Sequence, residues 1–196
     1  ARLYDSVVDK LESEALRDVE DFLSAVGGSE GRWLGILEGH HFYEFRDGTT
    51  SDMKIASRLG APFLGSCGFV RLKFQRTTTS SVSATVWAHH GVGGGAKMAA
   101  PLNKLEGVVP HFDADIYLMG HHHKKVATKK PRPYFDEQGH MRHKNTTWCV
   151  NGAWLKGYMQ GYRVGCLPGG NYAEKALYPP IALGGLILTL RAKPDG

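Results

Sequence analysis

Apolar residues recur at Leu3, Val7, Val8, Leu11, Leu16, Val19, Phe22 and Leu23. That spacing follows the helical period and predicts a helix over 3–25, ended by the glycines of "GGSEG" at 27–31. "RWLGILEG" at 32–39 is a short apolar run of strand length. "TTSDMKIASRLG" at 49–60 predicts a second helix, with Thr or Ser as its N-cap and Gly60 as its stop. Strands follow near 62–66, 68–75 and 82–88, and "AKMAAPLNKLEGVV" at 96–109 predicts helix on either side of a break at Pro101. "ADIYLM" at 114–119 is a further buried strand. Beyond it the pattern becomes β-rich, with strands expected near 123–128, 132–136, 146–151, 172–176 and 184–191. There is no internal repeat or linker, so the pattern predicts one α/β domain over 1–196.

Three of these apolar strands end in histidines. "EGHHF" occupies 38–42, "WAHHG" 87–91 and "GHHH" 120–123. In α/β folds, sites form outside the carboxyl ends of the strands. Neutral imidazole is the commonest side-chain metal ligand. A single His pair is weak grounds for a site, because most histidines are ordinary core or surface residues. Three clusters at matched strand ends are much stronger grounds. They predict convergence of His40, His41, His89, His121 and His123.

Composition narrows the class. With 42% apolar and 22% charged residues, the chain is that of a soluble globular protein, and its 25 glycines imply many turns. No apolar run approaches the ~18–20 residues of a membrane helix, and the charged N-terminal stretch is no signal peptide. Cytoplasmic localisation without membrane association is expected. Cys67, Cys149 and Cys166 form no CxxC pair, which argues against a disulfide framework or a zinc ribbon. Net charge is +5. The positive residues cluster in "HHHKKVATKKPRP" at 121–133 and "HMRHKN" at 140–145. This stretch reads equally as a solvated hairpin or as a phosphate-attracting rim.

"GVGGGAK" at 91–97 lacks the second glycine of a P-loop and the Ser/Thr after Lys97. It reads instead as a flexible glycine turn beside the site. H-E-x-x-H is absent, and no Ser or Cys stands in a nucleophile elbow.

"EGHHF", "AHHG" and "DADIYLMGHHHKK", in that order, resemble the G-N-H, strand-end His and G-H-x-H motifs of the calcineurin-like metallophosphoesterases. The later "VNGAWLKGY" and "NYAEKALYPPIALGG" resemble bacterial and phage members, so the likeness covers nearly the whole chain. It implies two facing β-sheets flanked by helices, a four-layer αββα fold incomplete at its N-terminus. It also implies two divalent metal ions (Mn, Zn, Fe or Ni, with Mn favoured) that activate water to hydrolyse a phosphate ester, chiefly a phosphodiester. By the same likeness His89, His121 and His123 are metal ligands, and His40 is a ligand in place of the family's Asn. His41 contacts the phosphate and protonates the leaving oxygen. His122 is the variable position and points away. On the basic rim, and not on the likeness, Lys124 and Lys125 are expected to bind substrate, with nucleic acid among the candidate substrates.

Two departures stand out. Phe42 replaces the usual carboxylate after the motif histidine, which leaves Glu44 and Asp115 as candidates to orient His41. The D-x-H and G-D-x-x-[D/N] motifs are absent. A further N-terminal segment supplying the metal-binding carboxylates is therefore expected. The rival reading is a non-catalytic nucleic-acid-binding or scaffold module on a degenerate phosphoesterase fold. Tyr134, Phe135, Trp154 and Tyr158 are expected to pack in the β-core, with base stacking as the alternative.

Overall fold

The structure is a computed structural model and describes residues 2–27, 32–154, 158 and 176–192. Two compact units divide the chain, 1–70 and 71–196.

In the first unit, α1 spans Arg2–Gly27 and α2 spans Ser51–Arg58. The helical period buries Leu16 of α1, and Arg58 of α2 pairs with Glu20 of α1 at 3.0 Å. Thr50 caps α2, its hydroxyl accepting the Met53 N–H, as the sequence pattern predicts. The run at 32–39 is not a full strand. It makes one parallel bridge, Ile36 to Phe63, flanked by Leu64 N–H to the Ile36 carbonyl at 2.9 Å and Glu38 N–H to the Gly65 carbonyl at 2.9 Å.

The second unit begins within β1 (Cys67–Gln75) and continues through β2 (Ser81–His89), α3 (Ala100–Val108), β3 (Ile116–Met119), β4 (Val126–Phe135) and β5 (Met141–Val150). The result is a mixed five-stranded sheet in the order β1-β2-β3-β5-β4. β2 and β5 both run parallel to β3, and β4 is antiparallel to β5. Central β3 is apolar throughout, as a parallel strand covered on both faces must be. One face of the sheet packs Trp87, Tyr117, Met119, Trp148 and Val150 against Leu105 of α3 and Ala114. The buried Tyr117 hydroxyl donates to the Phe112 carbonyl at 2.5 Å and accepts the Ala114 N–H at 3.1 Å.

Several expectations differ from the structure. Pro101 lies in the first turn of α3, where its missing N–H costs nothing, so it does not break a helix. The strands expected near 123–128 and 132–136 are the single strand β4, which passes through Pro131 and Pro133. Its place at the sheet edge tolerates both, and they blunt that edge against further pairing. Residues 184–191 form no strand, and only Leu183 bridges to Ala153. The expectation near 172–176 falls, but for residue 176, outside the described residues. Phe135 and Trp154 are 71% and 78% exposed and are not core residues. Among the described residues no helix is long and apolar enough to cross a membrane.

Candidate metal centre

The register of β2 on β3 builds the site. His89 pairs with Met119 at the last rung, and the Gly120 N–H donates to the His89 carbonyl at 3.3 Å. Both strands are therefore released at the same height, and "HHG" and "GHHH" run out side by side. Glycine makes the approach possible. A Cβ on Gly91 would stand 2.8 Å from the Gly120 carbonyl oxygen and 2.9 Å from the His121 Cβ, and a Cβ on Gly120 3.1 Å from the His90 oxygen.

Beyond that point the backbone turns sharply. The His122 N–H donates back to the Gly120 carbonyl at 2.7 Å, closing a γ-turn centred on His121. His121 sits there at φ 63, and His123 follows at φ 54. Left-handed backbone at a residue other than glycine costs about 1–3 kcal/mol and persists where the surroundings enforce it. At His121 the consequence is a specific placement. Its half-buried ring meets that of His90 edge-on with centroids 5.2 Å apart, and their ligand nitrogens lie within 4.8 Å.

Of the adjacent pair, it is His90 whose ring meets that of His121 and whose nitrogen groups with it. His89 follows Trp87 by two residues and shares its face of the strand. Its ring stacks on that indole at 5.6 Å, and its Nδ1 accepts the Gly91 N–H at 2.7 Å. His123 is exposed. His122 is the buried histidine of the run, at 9% exposure, and its ring donates to the Val92 backbone. Burial pushes its pKa below the ordinary value, and the neighbouring His121 and Lys124 act in the same direction. Its Nε2 has no hydrogen-bond partner among the described residues.

Lys124 is buried at 8% exposure. Its ammonium donates to the Gly95 and Lys97 carbonyls and thereby ties the glycine loop to the end of β3. Lys125 is exposed. The basic stretch beyond is largely paired with acids, three of them distant in sequence and one, Asp136, in the same hairpin. Lys130 pairs with Glu106, Arg132 with Asp113 at 2.8 Å, Arg142 with Asp136 at 2.9 Å and Lys144 with Asp115 at 3.2 Å. The Arg142 guanidinium holds the Asp136 carboxyl below its usual range, and the N–H groups of His140 and Gln138 add to this.

In the first unit, His40 and His41 form an exposed turn. The Gly39 N–H before them donates to the Asp52 carboxylate at 2.7 Å, which fixes the turn to the start of α2. Behind them the Tyr43 hydroxyl donates to Asp9 at 2.6 Å, and this carboxylate pushes the phenol up to about 12. Neither acid expected to orient His41 is drawn into such a role. Glu44 is an exposed bridge residue opposite Thr50. Asp115 precedes β3, at the end away from His121, and it accepts the Thr85 N–H at 2.9 Å.

The His90–His121 pair offers two neutral nitrogen donors, which suits Zn, Mn, Fe or Ni. No carboxylate joins this pair among the described residues. The donor set thus fits one imidazole-bound cation and lacks the bridging acid that a two-ion centre needs. No family model, curated protein or solved structure matches the chain.

Proposed function

We propose that the chain is a metal-dependent phosphoesterase of the calcineurin-like kind, hydrolysing a phosphate ester, with diesters as the substrate class. The observation that carries this reading is the meeting of His90 and His121 at the ends of two adjacent parallel strands, with His121 held in strained backbone. Strain of this sort collects at functional sites. The finer architecture, two facing sheets in four layers, belongs to the same proposal.

A bound divalent cation supplies a water of lowered pKa and neutralises phosphoryl charge. The chain's part is to hold and orient. His90 and His121 present nitrogens, and the Gly91–Gly120 contact fixes their separation. On the resemblance alone, His40 adds a ligand and His41 protonates the leaving oxygen. His89 and His123 are further ligands on the same ground, within a centre of two ions. The carboxylates of that centre are proposed to come from a further segment. With four of the hairpin cations paired to acids, a compact phosphoester suits the site better than a long polyanion.

The absence of a carboxylate beside the His pair favours the second reading, a non-catalytic binding module. Hydrolysis of bis-p-nitrophenyl phosphate separates the two. The phosphoesterase reading expects turnover that appears with added Mn²⁺ and vanishes with EDTA. Stoichiometric metal binding without turnover on diester or monoester would favour the module.

A further inference from the structure

The glycine loop between β2 and α3 has features that holding metal does not explain. Gly91 and Gly93 adopt positive φ, 102 and 76, and alternate with residues of ordinary backbone. Glycine backbone of this kind lets a ligand approach the main chain closely. A Cβ on Gly94 would meet nothing within 4 Å, so the loop's surface there is open.

Three side chains surround the loop, each with unused capacity. The Lys104 ammonium stands beside Gly93, 3.6 Å from where a Cβ there would lie. Lys104 has no hydrogen bond or ion pair among the described residues, and Glu106, two residues along α3, is taken by Lys130. Buried Lys124 uses two of its three N–H donors, on the Gly95 and Lys97 carbonyls. Ammonium carries three donors, and burying one without a counter-charge is unfavourable. Buried His122 donates to Val92 of the loop and leaves Nε2 without a partner among the described residues.

We infer that the 91–97 loop, with Lys104 and Lys124, is a subsite for a phosphoryl anion, the group carried by the phosphate ester that is hydrolysed. Two ammonium groups offset its charge, and the glycine backbone, which carries no side chains, lets its oxygens approach closely. The identity of the anion rests on the phosphoesterase reading, whereas its binding needs no metal. "GVGGGAK" therefore serves as a phosphate cradle without being a P-loop, because its lysines come from α3 and from beyond β3 rather than from the loop's own end.

The test is phosphate binding by the full chain after EDTA treatment, followed by calorimetry, with bis-p-nitrophenyl phosphate as competitor. Saturable, salt-sensitive binding of inorganic phosphate is expected, weakened about tenfold or more in Lys104→Ala and retained in Lys104→Arg. Lys104 is exposed, so both variants are expected to keep the wild-type melting temperature. His121→Ala is expected to bind phosphate like wild type, so failure of the metal reading leaves this result standing. Wild-type affinity in Lys104→Ala, or no saturable binding to metal-free protein, overturns the subsite. Binding of inorganic phosphate that bis-p-nitrophenyl phosphate does not displace overturns its assignment to substrate.

Discussion

His121→Ala is expected to weaken binding of Mn²⁺ or Zn²⁺ by more than about a hundredfold and to bring metal-dependent hydrolysis to background. Loss of a group that merely supports a ligand costs roughly 10–100-fold in affinity, and a ligand itself costs more. The fold is expected to tolerate the change, because the ring is only half buried and lies outside the cluster of Trp87, Leu105, Tyr117 and Trp148. Glycine at the same position makes a sharper test. At φ 63 a side chain is strained, and glycine is not. His121→Gly is expected to gain about 1 kcal/mol, a rise in Tm of roughly 2–4 °C, while losing metal as fully as alanine. A stabilised, metal-deficient variant is the result expected of backbone strain kept for function. A His121→Gly protein that melts lower than His121→Ala would remove that argument.

Gly91→Ala is expected to be the most damaging single substitution near the site. Two independent effects combine. At φ 102 any side chain is strained, and the added Cβ would stand 2.8 Å from the Gly120 carbonyl oxygen, a backbone atom that cannot swing aside. Strained backbone costs about 1–3 kcal/mol and overpacking a further ~1–3 kcal/mol. A loss near 3 kcal/mol lowers Tm by roughly 6–12 °C for a chain of this size. The two strand-end turns must part to make room, so metal affinity falls as well. Gly107→Ala is the control, since it lies within α3 with nothing near its would-be Cβ. It is expected to raise Tm slightly through helix propensity. Thermal melts of the three proteins, each with and without Zn²⁺, check both effects together. An unchanged melt for Gly91→Ala would mean that the turns are not packed as described.

Where local chemistry decides structure, the sequence is readable. Thr50 caps α2 because its hydroxyl accepts the Met53 N–H, and the run Ile116–Met119 is apolar because both faces of β3 are covered. The histidines at the ends of β2 and β3 were visible for the same reason. Which of His89 and His90 meets His121 was not. That choice depends on the register of β2 on β3, and the parity of the strand then assigns His89 to the face of Trp87. The fate of the basic stretch was equally hidden. Glu106, Asp113 and Asp115, which pair with Lys130, Arg132 and Lys144, lie 19 to 29 residues away along the chain. Pro131 and Pro133 suggest a break in isolation, and only the place of β4 at the sheet edge shows why they are tolerated. His122 reads as a spacer from its motif position, yet the γ-turn at His121 directs it inward.

X-ray absorption at the metal edge of the Zn²⁺- or Mn²⁺-loaded wild-type chain tests the central claim most directly. The account predicts at least two imidazole nitrogens on the metal, at about 2.0–2.1 Å for zinc, with that imidazole signal lost in both His90→Ala and His121→Ala. An all-oxygen coordination shell, or an imidazole signal unchanged in the two variants, would contradict it.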